Sequence, residues 1–264
     1  MSLYNEIRTL MNDYSFTPSE ENSENFVVDE NILNKEISSA ELSSNDIVLE
    51  IGSGFGFLID RIIKICPVIA VENDTKLFSY LTNKYELNQK VTLINADFLE
   101  MIPPSFTKII SNPPYGIVDR IMYKLIHYDF LSGVMILPKT LSDTLLDGKS
   151  TRLSFILKQF FSFEKIMDVQ KEAFFPVPRV TSEMMKFTRL KESMMNRVLL
   201  YENSLVKNAI LIAYQDLNRK TKRESREALA SIAKDDDLNR ILTRTVKSLN
   251  LNELQLLYDR LKIF

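Results

Sequence analysis

The sequence predicts an α/β fold: a doubly wound, mainly parallel sheet followed by a small all-helical C-terminal domain. Three observations lead there. From Ile47 to about Phe187, apolar runs of strand length alternate with stretches of helical spacing, the mark of successive βαβ units. The first run ends in a glycine-rich turn, Gly52-Ser53-Gly54-Phe55-Gly56, where open α/β sheets bind their ligands. Beyond Glu192 only helical spacing remains.

Taken in order, residues 1–30 are polar and acidic, with one arginine against seven carboxylates, and the stretch "SEENSEN" (19–25) reads as loop. "DIVLEI" (46–51) has strand patterning, and "FLIDRIIKI" after the glycine turn has helical spacing. "PVIAVEN" (strand), "DTKLFSYLTNKYEL" (helix) and "VTLINAD" (strand) follow, then "FTKIIS" (strand), "VDRIMYKLIHY" (helix) and "SGVMILP" (strand). "FEKIMDVQ" and "TSEMMKFTRL", joined by "KEAFFPVPR", are expected to add an antiparallel edge. "NSLVKNAILIAYQDL" and "LNELQLLYDRLKIF" are the clearest helices of the tail. The expected division is residues 1–188 and 189–264.

Composition narrows the function. One cysteine, Cys66, and one histidine, His127, exclude a disulfide framework and argue against zinc. The apolar runs are short and broken by charge, and no basic segment with an apolar stretch opens the chain, so a metal-free cytoplasmic protein without a membrane span is expected. The net charge of −2 hides an asymmetry. Residues 1–186 carry 18 Lys+Arg against 25 Asp+Glu, net −7, whereas residues 187–264 carry 15 against 10, net +5.

Gly52, Gly54 and Gly56 permit a tight turn and close backbone approach by a ligand. Their spacing is not the dinucleotide pattern G-x-G-x-x-G, and no phosphate loop of the G-x-x-x-x-G-K-[ST] kind is present. Glu72 closes the second strand, where a carboxylate accepts from a ribose diol. Asp97 closes the third, where one can accept from an exocyclic adenine amine. Singly, either could be a helix cap. Together with the turn they suit an adenosine without phosphates, such as S-adenosylmethionine.

The fourth strand ends in Ser111-Asn112-Pro113-Pro114-Tyr115-Gly116-Ile117. An amine on a base or an amide is a poor nucleophile because its lone pair is delocalised, so alkylating it needs acceptors for both hydrogens. The Asn112 side-chain oxygen and the Pro113 carbonyl are candidates, on a loop stiffened by proline. Tyr115 offers a ring face for a planar group. Such a site works mainly by orienting an in-line methyl transfer.

"VLEIGSGFGFLID", "AVEND", "NADFLE" and "SNPPYGI", in this order, resemble the amino-methylating, S-adenosylmethionine-dependent transferases. That motif set alone leaves DNA adenine, RNA bases and protein glutamine open as substrates. "NFVVDENIL" (25–33) and "KEAFFPVPRVTSEMMKF" (171–187) are similar to segments of the ribosomal RNA adenine dimethyltransferases, and "AYQDLNRKTKRESREAL" to that family's basic helix. The resemblance runs over about residues 22–264. It implies a Rossmann-like methyltransferase sheet, small-subunit rRNA or the immature small ribosomal subunit as partner, and a monomer. It places cofactor contacts at Asn25, Val27, Gly52, Gly54, Glu72, Asn73, Asp97, Phe98 and Asn112. A flipped adenine would sit between Tyr115 and Phe174, with Phe175 in the core. Arg219, Lys220, Lys222, Arg223 and Arg226 would meet RNA phosphates. Departures from the family pattern are the acidic N-terminal region, Glu24 for glutamine, "NPPY" for "NLPY", and "LPKTLSDTL" after the fifth strand. A DNA or protein-glutamine methyltransferase, and a non-catalytic assembly factor, are the competing readings.

Overall fold

A computed structural model describes residues 2–18, 24–146, 150–233 and 236–262; residues 19–23 of the expected loop lie outside these. Contacts divide the chain into two compact units, Met1–Gly148 with Ser162–Arg189, and Lys149–Phe161 with Leu190–Phe264.

The first unit opens with α1 (Leu3–Asp13), capped by Ser2, and β1 (Phe26–Val27), followed by α2 (Glu30–Ser39), capped by Asp29. The sheet strands and helices then alternate: β2 (Val48–Ile51), α3 (Ile59–Ile62), β3 (Val68–Glu72), α4 (Thr75–Tyr85), β4 (Val91–Asn95), β5 (Lys108–Ser111), α5 (Val118–Leu125), β6 (Ser132–Pro138) and α6 (Lys139–Leu146). After α7 (Arg152–Phe160) come β7 (Phe161–Val169), β8 (Phe174–Phe175) and β9 (Ser182–Arg189). The sheet order is β4-β3-β2-β5-β6-β9-β7. β2 to β6 pair in parallel, and β9 pairs antiparallel to β6, as the alternating pattern and the late pair of strands imply. β2, β3 and the apolar part of β5 and β6 are buried along their length because helices cover both faces. The chain crosses from β2 outward to β3 and β4, then back to β5. The carboxyl ends of β2 and β5 therefore flank the reversal of strand order, where such sheets bind ligands.

Two features of the first unit differ from the sequence expectation. The acidic N-terminal region holds a helix, α1, whose Leu3, Ile7 and Met11 lie four residues apart and are buried on one face. β1 and β8 form a separate two-stranded sheet, Phe26 opposite Phe175 and Val27 opposite Phe174.

The second unit contains α7, α8 (Met194–Leu200), α9 (Val206–Asn218), α10 (Lys222–Ile232), α11 (Asp236–Leu242) and α12 (Leu251–Leu261). A single cut at 188/189 assigns α7 to the sheet. Instead the Arg152 guanidinium donates to the carbonyls of Leu249 and Lys247, both at 3.0 Å, and Phe155 meets Tyr258 edge-on. α8, α10 and α12 begin with reciprocal capping boxes built on Ser193, Thr221 and Asn250.

Candidate functional site

The turn after β2 is held open by glycine. Gly54 has φ +53°, and a Cβ there would stand 2.8 Å from the Phe26 ring; a side chain would be both strained and crowded. Gly52 has φ +74°, and its N–H donates to the Val71 carbonyl at 2.8 Å. Behind the turn, Lys84 donates to Asp60 (2.7 Å) and to the Phe55 carbonyl (3.2 Å).

Glu72, at the end of β3, is buried. One carboxylate oxygen accepts from the Gly54 N–H at 2.8 Å, the other from the Asp74 N–H at 2.9 Å. Burial raises its pKa, and these backbone donors offset part of the rise. Asp97 accepts from the Leu99 N–H at 2.8 Å. The loop after it is gripped by Lys124, whose ammonium donates to the carbonyls of Phe98 (2.6 Å), Leu99 (2.9 Å) and Met101 and stands 5.0 Å from the Phe98 ring centre.

Gly52, Gly54, Glu72, Asp97 and Phe98 line a cleft of about 560 Å³, together with Asn25, Asn73 and Asn112, within the range of small-molecule sites. Eight of the nine expected cofactor residues thus share one cavity. The ninth, Val27, is buried and borders a smaller adjoining cavity of about 40 Å³. In the Asn-Pro-Pro-Tyr loop, Pro114, Gly116 and Ile117 border the large cleft, as does Asn112, but Pro113 and Tyr115 do not.

At the end of β5 the Ser111 hydroxyl donates to the Ile51 carbonyl at 2.6 Å, fixing the β5 terminus against that of β2. Next to it, the Asn112 amide nitrogen donates to the Glu36 carboxylate of α2 at 2.9 Å. The Asn112 oxygen is buried and accepts no hydrogen bond. Glu36 is fully buried. Desolvation outweighs its bond to Asn112 and pushes its pKa up to about 8. Two further buried acceptors nearby lack partners: one Glu50 oxygen and the Ser53 hydroxyl, both bordering the smaller cavity with Asn112. Glu50 also titrates well above the usual carboxylate range, through burial first and the charges of Glu36 and Glu72 after it.

The expected base clamp has a different arrangement. Tyr115 and Phe174 touch edge to face, 6.3 Å between ring centres at 75°, with no slot between parallel faces. The Tyr115 hydroxyl bonds the Ser182 hydroxyl at 2.5 Å, and burial pushes its pKa up to about 12. Phe174 is buried, opposite Val27 in the small sheet, whereas Phe175 is only half-buried and meets Tyr4 edge-on. Of the two phenylalanines it is therefore Phe174 that is buried, not Phe175, because strand alternation turns Phe174 inward.

In the second unit the five basic residues fall into two sets. Lys220 pairs with Glu224 and Arg223 with Glu227, each at 3.0 Å. Arg219, in the left-handed conformation at the end of α9, Lys222 and Arg226 make no ion pair among the described residues. Among the described residues no cluster of His, Cys, Asp or Glu could hold a metal ion, and no helix is long and apolar enough to cross a membrane.

Sequence reasoning missed Glu36, Glu50, Lys124 and Ser111. A glutamate and a lysine within amphipathic helices read as solvated, and only the fold carries them to the site.

Comparison with known proteins adds to this geometry. The family model described as ribosomal RNA adenine dimethylase matches residues 18–253. The chain is 30% identical over 234 residues to the "Probable ribosomal RNA small subunit methyltransferase A" of Pyrococcus abyssi, covering 84% of this chain and 87% of that protein. Among solved structures, a dimethyladenosine transferase from Plasmodium falciparum superposes with a TM-score of 0.60 at 21% identity, covering 89% of this chain and 97% of that one. The 23S rRNA methyltransferase ErmE gives 0.60 at 22%, covering 90% and 99%. At these identities the two structures share the fold.

Proposed function

The chain belongs to the ribosomal RNA adenine dimethylase family, and from that premise we propose that it transfers methyl groups from S-adenosylmethionine to the exocyclic N6 amine of adenine in small-subunit rRNA, giving dimethyladenosine. Its partner is small-subunit rRNA or the immature small subunit, met in the cytoplasm by a monomer. The observation that carries this reading is the Asn112 oxygen: a buried acceptor with no hydrogen bond, on a residue that lines the same cleft as Glu72, Asp97 and the glycine turn.

The residues present fit the donor. Glu72, held by two backbone N–H groups, keeps lone pairs for a ribose diol. Asp97 would accept from the adenine amine, and Gly52 and Gly54, which line the same cleft, would admit the amino-acid end. When bound, the sulfonium supplies an electrophilic methyl group. The Asn112 oxygen accepts one hydrogen of the target amine and the Pro113 carbonyl the other; the neighbouring Pro114 carbonyl is already taken by the Ile117 N–H at 3.2 Å. With both hydrogens held, the nitrogen lone pair is freed from the ring and directed along one line. The bound donor would supply the methyl group and keep the electron pair of the bond it gives up; the chain's own part is to hold the amine, whose surplus proton would pass to solvent after transfer. No general base is required. A base extruded from its stack would lie against Tyr115, which requires Tyr115 and Phe174 to leave their present edge contact.

The test is a tritiated-methyl transfer assay offering immature small subunits, free rRNA, duplex DNA and a nucleic-acid-depleted cell extract. Label recovered as dimethyladenosine from small-subunit rRNA is the expected result. Label only in DNA or protein would overturn the substrate while leaving the amine chemistry.

A further inference from the structure

A primary amide has two faces of similar shape and opposite hydrogen-bonding sense, so an asparagine that must present an acceptor needs something to decide its orientation. In this site a single neighbour does so. The Asn112 nitrogen donates to Glu36 at 2.9 Å across 76 residues of sequence. Both groups are shut off from water on that side: Glu36 is fully buried, and neither its second oxygen nor the Asn112 oxygen has a partner. The Glu36 oxygen that meets the amide accepts from it, so the NH2 half faces α2 and the oxygen faces away; the proton that burial keeps on this carboxyl at neutral pH then belongs on the other oxygen. Flipping the amide would give up that bond and set its oxygen against the accepting oxygen of Glu36. A buried unpaired polar atom costs about 1–3 kcal/mol, and chains leave few of them.

We propose that Glu36 is a positioning residue for methyl transfer: by accepting from the Asn112 NH2, its carboxyl group fixes the amide with the oxygen turned toward the incoming adenine amine. The inference rests on the proposed function, since it gives Asn112 the role of amine acceptor. Glu36 touches neither substrate nor donor and acts only through Asn112. α2 thereby gains a function beyond packing. Its exposed face is polar, its Ile32 and Leu33 enter the core, and Glu36 is the charged member of its buried set.

The experiment compares four full-length proteins, wild type, Glu36→Leu, Glu36→Gln and Asn112→Ala, and the double variant Glu36→Leu/Asn112→Ala. Methyl transfer is read at saturating donor, donor affinity by calorimetry, and folding by thermal unfolding. Glu36→Leu should lose about 100-fold in kcat, the scale of removing one oriented hydrogen-bonding group, with donor affinity within about threefold of wild type. Glu36→Gln keeps an acceptor for the Asn112 NH2 and should recover most of that loss. In the Asn112→Ala background, Glu36→Leu should have almost no further effect, because the two act as one unit. A folded Glu36→Leu that retains wild-type kcat overturns the proposal. So does a loss that adds fully to that of Asn112→Ala, or one that follows donor affinity and thermal stability, since a purely structural glutamate would behave that way. A wild type that methylates a substrate other than rRNA adenine would sink the proposed function while leaving the Glu36 comparison readable on that substrate. A wild type with no transferase activity on any of the four substrates would sink both.

Discussion

The acceptors around the cleft are treated in opposite ways. The two carboxylates expected to meet the donor are each already occupied on one side: Glu72 by Gly54 and Asp74, Asp97 by Leu99. At the amine end the Asn112 oxygen has no partner, and Glu36, Glu50 and Ser53 each leave an atom unpaired around it. A group that shapes a pocket can be satisfied in advance and gains rigidity from it. A group that must take a hydrogen from an incoming amine has to be kept empty, at a desolvation cost of about 1–3 kcal/mol. The largest expected effect tests this contrast directly. Asn112→Ala should lower kcat by about 10²–10³-fold while donor affinity stays within about threefold, measured by tritium transfer and calorimetry on the same preparation. Equal losses in both would mean that Asn112 belongs to the donor end and that the contrast is false.

Keeping acceptors empty and buried has a second consequence, in stability against pH. The folded-state pKa of Glu36 lies near 8, against 4.5 for the ordinary carboxyl. Between those values the folded protein holds a proton that the unfolded chain has released, so stability is full below about pH 4.5 and declines as pH rises toward 8. Glu36→Gln cannot ionise and should remove about 3–4 kcal/mol of that decline, read from urea midpoints at pH 5 and pH 8. Some slope must remain, because Glu50 and Glu72 are also raised by burial. A wild type whose stability is flat over this interval would show that Glu36 is hydrated in solution.

The donor end is broken most simply at Gly54. Its φ of +53° and the 2.8 Å approach of Phe26 make Gly54→Ala strained by about 1–2 kcal/mol. Donor affinity should fall about tenfold, with kcat at saturation changed by no more than about threefold, the reverse of Asn112→Ala. Calorimetry decides it, and an unchanged affinity would show that the turn yields without cost.

What was legible in the sequence follows the same division. The strands β2 to β6 could be read because short apolar runs alternate with stretches of helical spacing, and β7 and β9 because the proline-containing loop "KEAFFPVPR" separates them. Gly52, Glu72, Asn73, Asp97 and Asn112 could be read because each follows or closes such a strand; Asn25 and Val27 were reached only through the family resemblance of residues 25–33. α1 was hidden by its charges: three apolar residues at a spacing of four suffice to bury one face, yet the surrounding acidic residues dominate the average. The order of Phe174 and Phe175 depends on a two-residue strand, too short for any alternation to show. Glu36 could not be read at all. Its role arises from proximity to a residue 76 positions away, and nothing in its own neighbourhood distinguishes it from the solvated glutamates of other helices.

The smallest expected effect carries the contrast to the second unit. There too a charge already satisfied is a poor candidate for binding, and one left open is a better one. Lys220 and Arg223 each face a glutamate four residues on, so a phosphate approaching either meets a carboxylate of like charge. Arg219, Lys222 and Arg226 make no such pair among the described residues, and Lys222 and Arg226 are four apart on α10, on one side of the helix. Each phosphate contact on duplex nucleic acid contributes about 0.9 to the slope of log affinity against log salt, and about 0.7 on a single strand. Arg219→Ala/Lys222→Ala/Arg226→Ala should therefore flatten the slope for small-subunit rRNA by about 2, whereas Lys220→Ala/Arg223→Ala should flatten it by less than about 1. Equal changes would mean that the surface pairs, weak in water at about 0.3–0.5 kcal/mol, simply open on meeting RNA. No change in either would return the whole cluster to solvent and move RNA recognition elsewhere in the chain.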